Sequence, residues 1–433
     1  MSRVYVVGTS VVPFHRAETP TSLSYVEMGK RAVRGALQDA GVGNTDITLG
    51  VVGHLYGEST TGQRCLYEGG ITNGAPVINV NNNCSSGSTA LMVARQMLRG
   101  GAAQCAVVLG VEQVQRGKLT MAFPDREAPC KPYWDKMWTL GADQSITVLG
   151  GKTNEFTENV IRLFGEAQLE HSRRYGSSPE HLAAITRKNM MHGRHNPNAL
   201  FHGFDPSKLT KEAILRSAPS YGDLRAMMSS VTANGAAAVV LCTESYLEDN
   251  PKLRPRAVEI LGQSMATDRS VSDISSYITL SGAETASRAT RQALREAGIT
   301  LRDVNFIELH DCFASNELVL YEALGLVPEG KGHTFVESFQ PHASGSALLE
   351  GTTKYGTKVV VNASGGLLAK GHPLGATGLA QCDEIVRQLR GEAGPHRQVE
   401  GRPQVGLQHN FGIGSACVVT VYRKVSTDRG SKL

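Results

Sequence analysis

Four short stretches hold side chains that could make or break covalent bonds. Cys84 follows the apolar run Val77-Ile78-Asn79-Val80 and three asparagines, and it precedes Ser85-Ser86-Gly87-Ser88-Thr89-Ala90 and a helix. That order puts its sulfur at a helix N-terminus, where unpaired N–H groups and the helix dipole favour an anion. A thiol there is expected to have a lowered pKa and to act as a nucleophile. His372 lies in Lys370-Gly371-His372-Pro373-Leu374-Gly375-Ala376-Thr377-Gly378, a second loop that feeds a helix start. A histidine there could take the thiol proton and polarise a carbonyl oxygen. His310-Asp311-Cys312-Phe313 follows the apolar strand 304–309, at the edge where α/β sites are built. Cys312 could be a second acid/base, and His310 a donor or a water anchor. The stretch Leu407-Gln408-His409-Asn410-Phe411-Gly412-Ile413-Gly414 ends a strand with alternate glycines. Glycines let backbone N–H groups approach a ligand closely, as an oxyanion hole requires. A simple turn is the other reading of that stretch.

An internal repeat must position these loops. Residues 36–49 read ALQDAGVGNTDITL and residues 293–306 read ALREAGITLRDVNF, 257 residues apart without a gap. Ala36/Ala293, Leu37/Leu294, Ala40/Ala297, Gly41/Gly298 and Asp46/Asp303 are identical. Each copy reads as the end of an amphipathic helix, a glycine stop, a short loop and a strand. A second pair follows: a strand at 77–80 with a helix ending at Gly100, and a strand at 359–362 with a helix ending at Gly391, Gly87 aligning with Gly378 in the two helix starts. The loops of Cys84 and His372 are therefore counterparts, and pseudo-twofold halves would bring them face to face. Alternating β and α elements with apolar strands predict mostly parallel sheets covered by helices.

Residues 113–221 differ in character. They hold both tryptophans, Trp134 and Trp138, and a basic cluster with Arg187, Lys188, His192, Arg194 and His195. This reads as an insertion emerging from the first half. The expected division is 1–112 with 222–250 as the first half, 113–221 as the inserted loop domain, 251–425 as the second half, and 426–433 as a polar tail.

Composition bounds the class of protein. The chain has 433 residues, 41% hydrophobic and 19% charged, with a net charge of +4. That is enough apolar content for a sizeable core and too little charge for disorder or a dedicated nucleic-acid binder. No run approaches the ~18 apolar residues of a membrane span. The 8 cysteines are scattered, with no CxxC pair and no zinc-like spacing, so neither a disulfide framework nor a metal site is expected. The N-terminal residues lack the h-region or Arg/Ser-rich character of a leader. The last three residues, Ser431-Lys432-Leu433, form the tripeptide that a peroxisomal import receptor reads. Peroxisome is the expected location, with mitochondrion or cytoplasm as the alternative.

Asn83-Cys84-Ser85-Ser86-Gly87-Ser88, His310-Asp311-Cys312-Phe313 and Gly371-His372-Pro373-Leu374-Gly375-Ala376-Thr377-Gly378, in this order, resemble a thiolase. The His-Asp-Cys-Phe form, with Gln408-His409-Asn410 near the end, resembles the sterol carrier protein X type. The resemblance runs from about Arg3 to Lys424. It implies a thiolase fold: duplicated βαβαβαββ halves in five α-β-α-β-α layers, with a loop domain inserted in the first half. It also implies a homodimer or homotetramer, coenzyme A thioesters and CoA as substrates, and no tightly bound cofactor. Carried over by position, Cys84 would hold the acyl group and His372 would activate it and contribute to an oxyanion hole. His310 would help to hold a water in that hole, and Cys312 would be the second acid/base. The backbone N–H groups of Cys84 and Gly412 would form the other hole. Ordinary thiolases carry their second cysteine in a C-terminal Cys-x-Gly motif, and here Asn410 occupies the matching place. Some family members carry a fused lipid-transfer domain, and too few residues follow Lys424 for one to be expected here.

The implied reaction is a two-step acyl transfer between a 3-ketoacyl-CoA and CoA, run as thiolysis or as a Claisen condensation. Arg187, Lys188 and Arg194 either meet CoA phosphates or form a solvated face. The alternatives are a thiolase-fold acyltransferase or ketosynthase without thiolysis, a retro-aldolase relative that would not need Cys84, and a non-catalytic acyl-CoA or lipid carrier.

Overall fold

The structure is a computed structural model that describes residues 2–17, 23–114, 119–151, 153–343, 346–401, 403–414 and 416–425. The whole polar tail 426–433, including Ser431-Lys432-Leu433, lies outside the described residues.

The first half runs β1 (Val4–Arg16), α1 (Tyr25–Ala40), β2 (Leu49–Gly53), α2 (Thr61–Gly69), β3 (Val77–Val80), α3 (Ser86–Arg99) and β4 (Cys105–Glu112). A connecting region follows with α4 (Lys131–Thr139), α5 (Glu155–Tyr175), α6 (Pro179–Gly193), α7 (Lys211–Leu215) and the small hairpin β5 (Pro219–Tyr221) and β6 (Leu224–Arg225). The half closes with β7 (Ala233–Thr243), and α8 (Glu244–Asp249) leads to the second half. That half runs β8 (Val258–Thr267), α9 (Tyr277–Leu280), α10 (Ala283–Ala297), β9 (Phe306–Glu308), α11 (Ala314–Ala323), α12 (Gly332–Glu337), β10 (Gln340–Pro341), β11 (Leu349–Thr352), β12 (Lys358–Val361), α13 (Gly366–Lys370), α14 (Thr377–Arg390), β13 (Val405–Phe411) and β14 (Ala416–Lys424).

The strand order across the sheet is β10-β11-β12-β9-β13-β14-β8-β1-β7-β4-β2-β3. Read outward from the centre, β1-β7-β4-β2-β3 and β8-β14-β13-β9-β12 are the same sequence of elements, so the βαβαβαββ duplication is present. The halves join through β1 and β8, antiparallel, with Tyr5 opposite Glu259 and Val6 opposite Val258. The two sheets expected from the layered reading are thus hydrogen-bonded into one. The layers themselves survive. One core holds Met28, Ala32 and Ala36 of α1 against one face of the first half's strands. A central core packs Leu91 and Ala94 of α3 and Leu379 and Ile385 of α14 between the strands of both halves. A third sets Ala289 and Ala293 of α10 and Leu318 of α11 against the second half and the connecting region.

The repeated alanines have a shared cause. A Cβ at Gly8 would fall against the Ala36 carbonyl and Ala40, and one at Gly262 against the Ala293 carbonyl and Ala297. Each glycine lets the backbone of an outer helix lie directly on its strand, and small alanines line both contacts. Two further helices, α3 and α14, approach as closely in the centre. A Cβ at Gly87 would lie 2.6 Å from the Gly375 carbonyl, and one at Gly378 would lie 2.6 Å from the Ser88 amide. This crossing brings the Cys84 and His372 loops together.

Cross-half ion pairs reinforce it. Arg95 and Arg99 of α3 bond Glu296 of α10 at 3.0 and 2.5 Å. Arg390 of α14 bonds Asp39 of α1 at 2.8 Å. The two acids also bond equivalent strands in mid-course, Asp39 accepting from the Thr9 amide of β1 and Glu296 from the Gln263 amide of β8, both at 2.9 Å.

Candidate active site

Cys84 sits two residues before the start of α3 and is held there by local chemistry. Asn83 adopts φ of 52°, a left-handed conformation that asparagine tolerates better than most residues. Its Nδ2 donates to the Ile413 carbonyl at 3.1 Å, tying the nucleophile's turn to the β13–β14 connection. The Ser85 and Ser86 hydroxyls donate to the Asn82 and Asn83 carbonyls, each at 2.7 Å. The other half repeats the device: Asn362, after β12, has φ of 57° and accepts the Leu309 amide at 2.9 Å.

The four predicted side chains meet. Ligating atoms of Cys84, His310 and His372 lie within 4.8 Å of one another. The rings of His310 and His372 stand edge to face, 5.0 Å apart at 81°. Cys312 joins them on the wall of a cavity of about 440 Å³. Its other walls are largely apolar, with Phe156, Val160 and Ile161 from the connecting region and Leu374 and Ile413 from the second half. Cys84, His310 and His372 are the one group of three His, Cys, Asp or Glu among the described residues close enough to share a metal ion.

The positioning elements were not all foreseen. The strand segment before β7 clamps both catalytic loops of the second half: the Ser230 amide donates to the Cys312 carbonyl at 2.8 Å, and the His372 amide donates to the Val231 carbonyl at 2.8 Å. Asp311 accepts the Leu367 and Leu368 amides at 2.7 and 3.2 Å, fixing the His310–Cys312 strand end on the first turn of α13. Glu112, buried at the end of β4, accepts the amides of Leu55, Tyr56 and Gly375 at 3.1, 3.1 and 2.9 Å. It braces the His372 loop against the first half. The sequence signal for Glu112 is a lone acid closing the wholly apolar strand Cys105–Val111.

Protonation departs from expectation. Burial, then the Glu112 carboxyl, push the Cys84 thiol up to about 12, so burial outweighs the helix N-terminus in the resting site. Burial pulls His372 down to about 3 and lowers His310 well below the usual histidine range, with His372 and His409 adding to the effect on His310. Burial also raises the Cys312 thiol well above the ordinary value. The resting groups are therefore neutral, and the nucleophile must lose its proton as it attacks. His372 is set to receive it. Its Nδ1 lies 2.8 Å from Thr377 Oγ1, whose own hydrogen goes to the Pro373 carbonyl at 3.0 Å. Nδ1 is thus the donor, and the buried Nε2, without a partner among the described residues, is a free lone pair.

Two expectations are corrected. The Gly412 amide donates to the Ala416 carbonyl at 2.9 Å, closing the β13–β14 connection, so it is committed to the turn rather than free to serve a hole with the Cys84 amide. Lys188 is not a surface cation. Its side chain is 1% exposed, and its ammonium bonds Glu317 at 2.5 Å and the Val361 carbonyl at 3.0 Å. Arg187 and Arg194 are half-buried, donate through Nε to the Leu209 and Phe204 carbonyls, and do not line the catalytic cavity.

Comparison with known proteins agrees with this geometry. Residues 4–131 match the thiolase N-terminal domain, and residues 265–424 match the thiolase C-terminal domain-like family. The chain is 41% identical over 425 residues to sterol carrier protein 2 of Oryctolagus cuniculus, covering 98% of this chain and 72% of that one. It is 39% identical over 423 residues to the non-specific lipid-transfer protein-like 2 of Caenorhabditis elegans, covering 97% and 96%. Among solved structures, the Ltp2-ChsH2(DUF35) aldolase superposes with a TM-score of 0.75 at 17% identity, over 98% of both chains. Human mitochondrial 3-ketoacyl-CoA thiolase in complex with CoA does so with a TM-score of 0.68 at 16% identity, again over 98% of both. At these identities the two structures speak for the fold. The matched domains and the relatives at about 40% identity over nearly all of this chain place it in the thiolase family, beside the sterol carrier protein 2 thiolases.

Proposed function

We propose that this acyltransferase moves an acyl group between a 3-ketoacyl-CoA and CoA through a thioester on Cys84, in lipid metabolism. The carrying observation is the convergence of Cys84, His310, Cys312 and His372 on one cavity with an apolar wall. In the degradative direction, His372 Nε2 takes the thiol proton as Cys84 attacks the 3-keto carbon. The Cα–Cβ bond breaks, and Cys312 protonates the enolate of the departing, shortened CoA ester. CoA then enters, loses its thiol proton to Cys312, and takes the acyl group from Cys84. Two neutral acid/base groups suit this, because one proton leaves as another arrives. The condensation is the reverse.

For the CoA phosphates, Arg187 and Arg194 remain our candidates, without Lys188. We keep the division into 1–112 with 222–250, 113–221 and 251–425, because the connecting region supplies the cavity's apolar wall while both halves supply the chemistry. A homodimer or homotetramer and peroxisomal import through Ser431-Lys432-Leu433 complete the reading.

Mixing the protein with CoA and acetoacetyl-CoA, longer or 2-methyl-branched 3-ketoacyl-CoAs should give cleavage, with an acyl adduct on Cys84 by intact mass. Cys84→Ala should abolish both, and surviving cleavage would refute the mechanism. A carrier would show neither cleavage nor adduct. Undiminished turnover in Cys312→Ala would remove only the second acid/base assignment.

A further inference from the structure

We propose that Asn410 is a positioning residue that fixes the single proton of His310 on Nε2, so that His310 offers the cavity an N–H while its neighbour His372 offers a lone pair. Asn410 is fully buried on β13. Its Nδ2 lies 3.2 Å from the Cys84 carbonyl oxygen and 3.1 Å from His310 Nδ1. A carbonyl oxygen can only accept, so the end of the amide that faces Cys84 must be the NH₂. The same NH₂ then donates its second hydrogen to His310 Nδ1, which must accept. A neutral imidazole has one proton, and Nε2 is the only place left for it. The resting ring is neutral because burial and the two neighbouring imidazoles disfavour its charge.

The reverse amide orientation would set Oδ1 against the Cys84 carbonyl. In the observed orientation Oδ1 is buried without a partner among the described residues. A residue kept for packing would not leave a buried oxygen unpaired when leucine has similar volume. Asn410 spends its nitrogen twice and leaves its oxygen idle, which is understandable if the two donated hydrogens are what the position is for. One holds the nucleophile's backbone, and the other sets the tautomer of the adjacent histidine. Thr377 sets the opposite tautomer in His372 by accepting from Nδ1. Two rings 5.0 Å apart are thereby given opposite polarity: one receives the thiol proton, and the other donates toward the carbonyl oxygen that gains charge.

The test has two readouts. In the resting enzyme labelled with ¹⁵N-histidine, with His310 assigned by its loss in His310→Asn, the expected spectrum shows a protonated Nε2 and an unprotonated Nδ1. A protonated Nδ1 overturns the inference. This readout needs no substrate, so it stands even if the proposed reaction fails. Asn410→Asp keeps the shape but offers only acceptors, so it should draw the proton to Nδ1 and turn a lone pair to the cavity. Resting on the proposed reaction, acetoacetyl-CoA cleavage near neutral pH should then fall about 10²-fold in kcat, as for a lost oxyanion donor, with KM changed no more than a few-fold. Activity should partly return as pH falls, because an imidazole backed by a carboxylate protonates and regains its Nε2–H. A purely structural role would give a loss with no return at low pH, and that result also overturns the inference. If Asn410→Asp does not fold, the spectrum of the unaltered enzyme decides alone.

Discussion

Lys188→Met separates a phosphate-binding lysine from a structural one. The ammonium and the Glu317 carboxylate are 1% and 0% exposed and 2.5 Å apart. Removing one member of a buried pair leaves the other uncompensated, at a cost of about 3–5 kcal/mol. Glu317 would still accept from Asn189 at 2.6 Å, Tyr321 at 2.6 Å and Asn362 at 3.2 Å, which favours the lower end, about 3 kcal/mol. With a slope of several kcal/mol per molar, that shifts a guanidinium midpoint by somewhat under ~1 M. Trp134 and Trp138 lie on α4 in the same connecting region as α6, so their fluorescence reports that region while far-UV circular dichroism follows the whole chain. Glu317→Leu added to Lys188→Met should recover part of the loss, because the pair is then replaced rather than broken. The KM for CoA should stay within about twofold. An unchanged midpoint with a tenfold higher KM for CoA would refute the buried-pair reasoning and restore Lys188 to the substrate.

Two further predictions concern groups that hold the site. Thr377→Val leaves His372 Nδ1–H without its acceptor, a cost of about 1–3 kcal/mol in a buried site, and frees the proton to move to Nε2. Turnover should fall at least about tenfold with little change in KM, and Thr377→Ser should restore it; a fully active Thr377→Val would sink the base assignment. Burial raises the Glu112 carboxyl from 4.5 to about 7. The folded state then holds this proton more tightly than the unfolded chain, so the group's contribution is complete below about pH 4.5 and is lost as pH rises toward 7, an effect of about 3 kcal/mol. Denaturation across that window should show wild-type stability falling more steeply with pH than that of Glu112→Gln, and equal slopes would contradict the assignment.

Much of this architecture could be read from residues. The repeat at 36–49 and 293–306 is visible because both halves use one close contact, with Gly8 and Gly262 lying against helices that carry alanine at 36, 40, 293 and 297. The catalytic loops are visible because both follow apolar strands and open helices with small residues. Partners far apart in sequence were not visible. Lys188 looked like part of a basic surface because Glu317 lies 129 residues away. Its spacing from Ile185, Asn189 and His192, all on the buried face of α6, carried the warning. The thiol of Cys84 was placed correctly at its helix start, but a sequence does not give burial, and burial decides its resting charge. Glycine at 412 marks a close approach, which is the Ala416 carbonyl of its own turn.

The ion pairs between the halves are crossed: the arginines of α3 hold the acid of α10, and the arginine of α14 holds the acid of α1. This is the contact pattern of an isologous dimer, in which one surface meets its own copy across a twofold axis. Two separate but identical chains joined this way would have to carry the same residue in both loops, either two cysteines or two histidines. Within one chain that constraint is lifted. The loop on one side of the axis can keep a nucleophile and its counterpart a base, so a symmetric frame supports an asymmetric reaction.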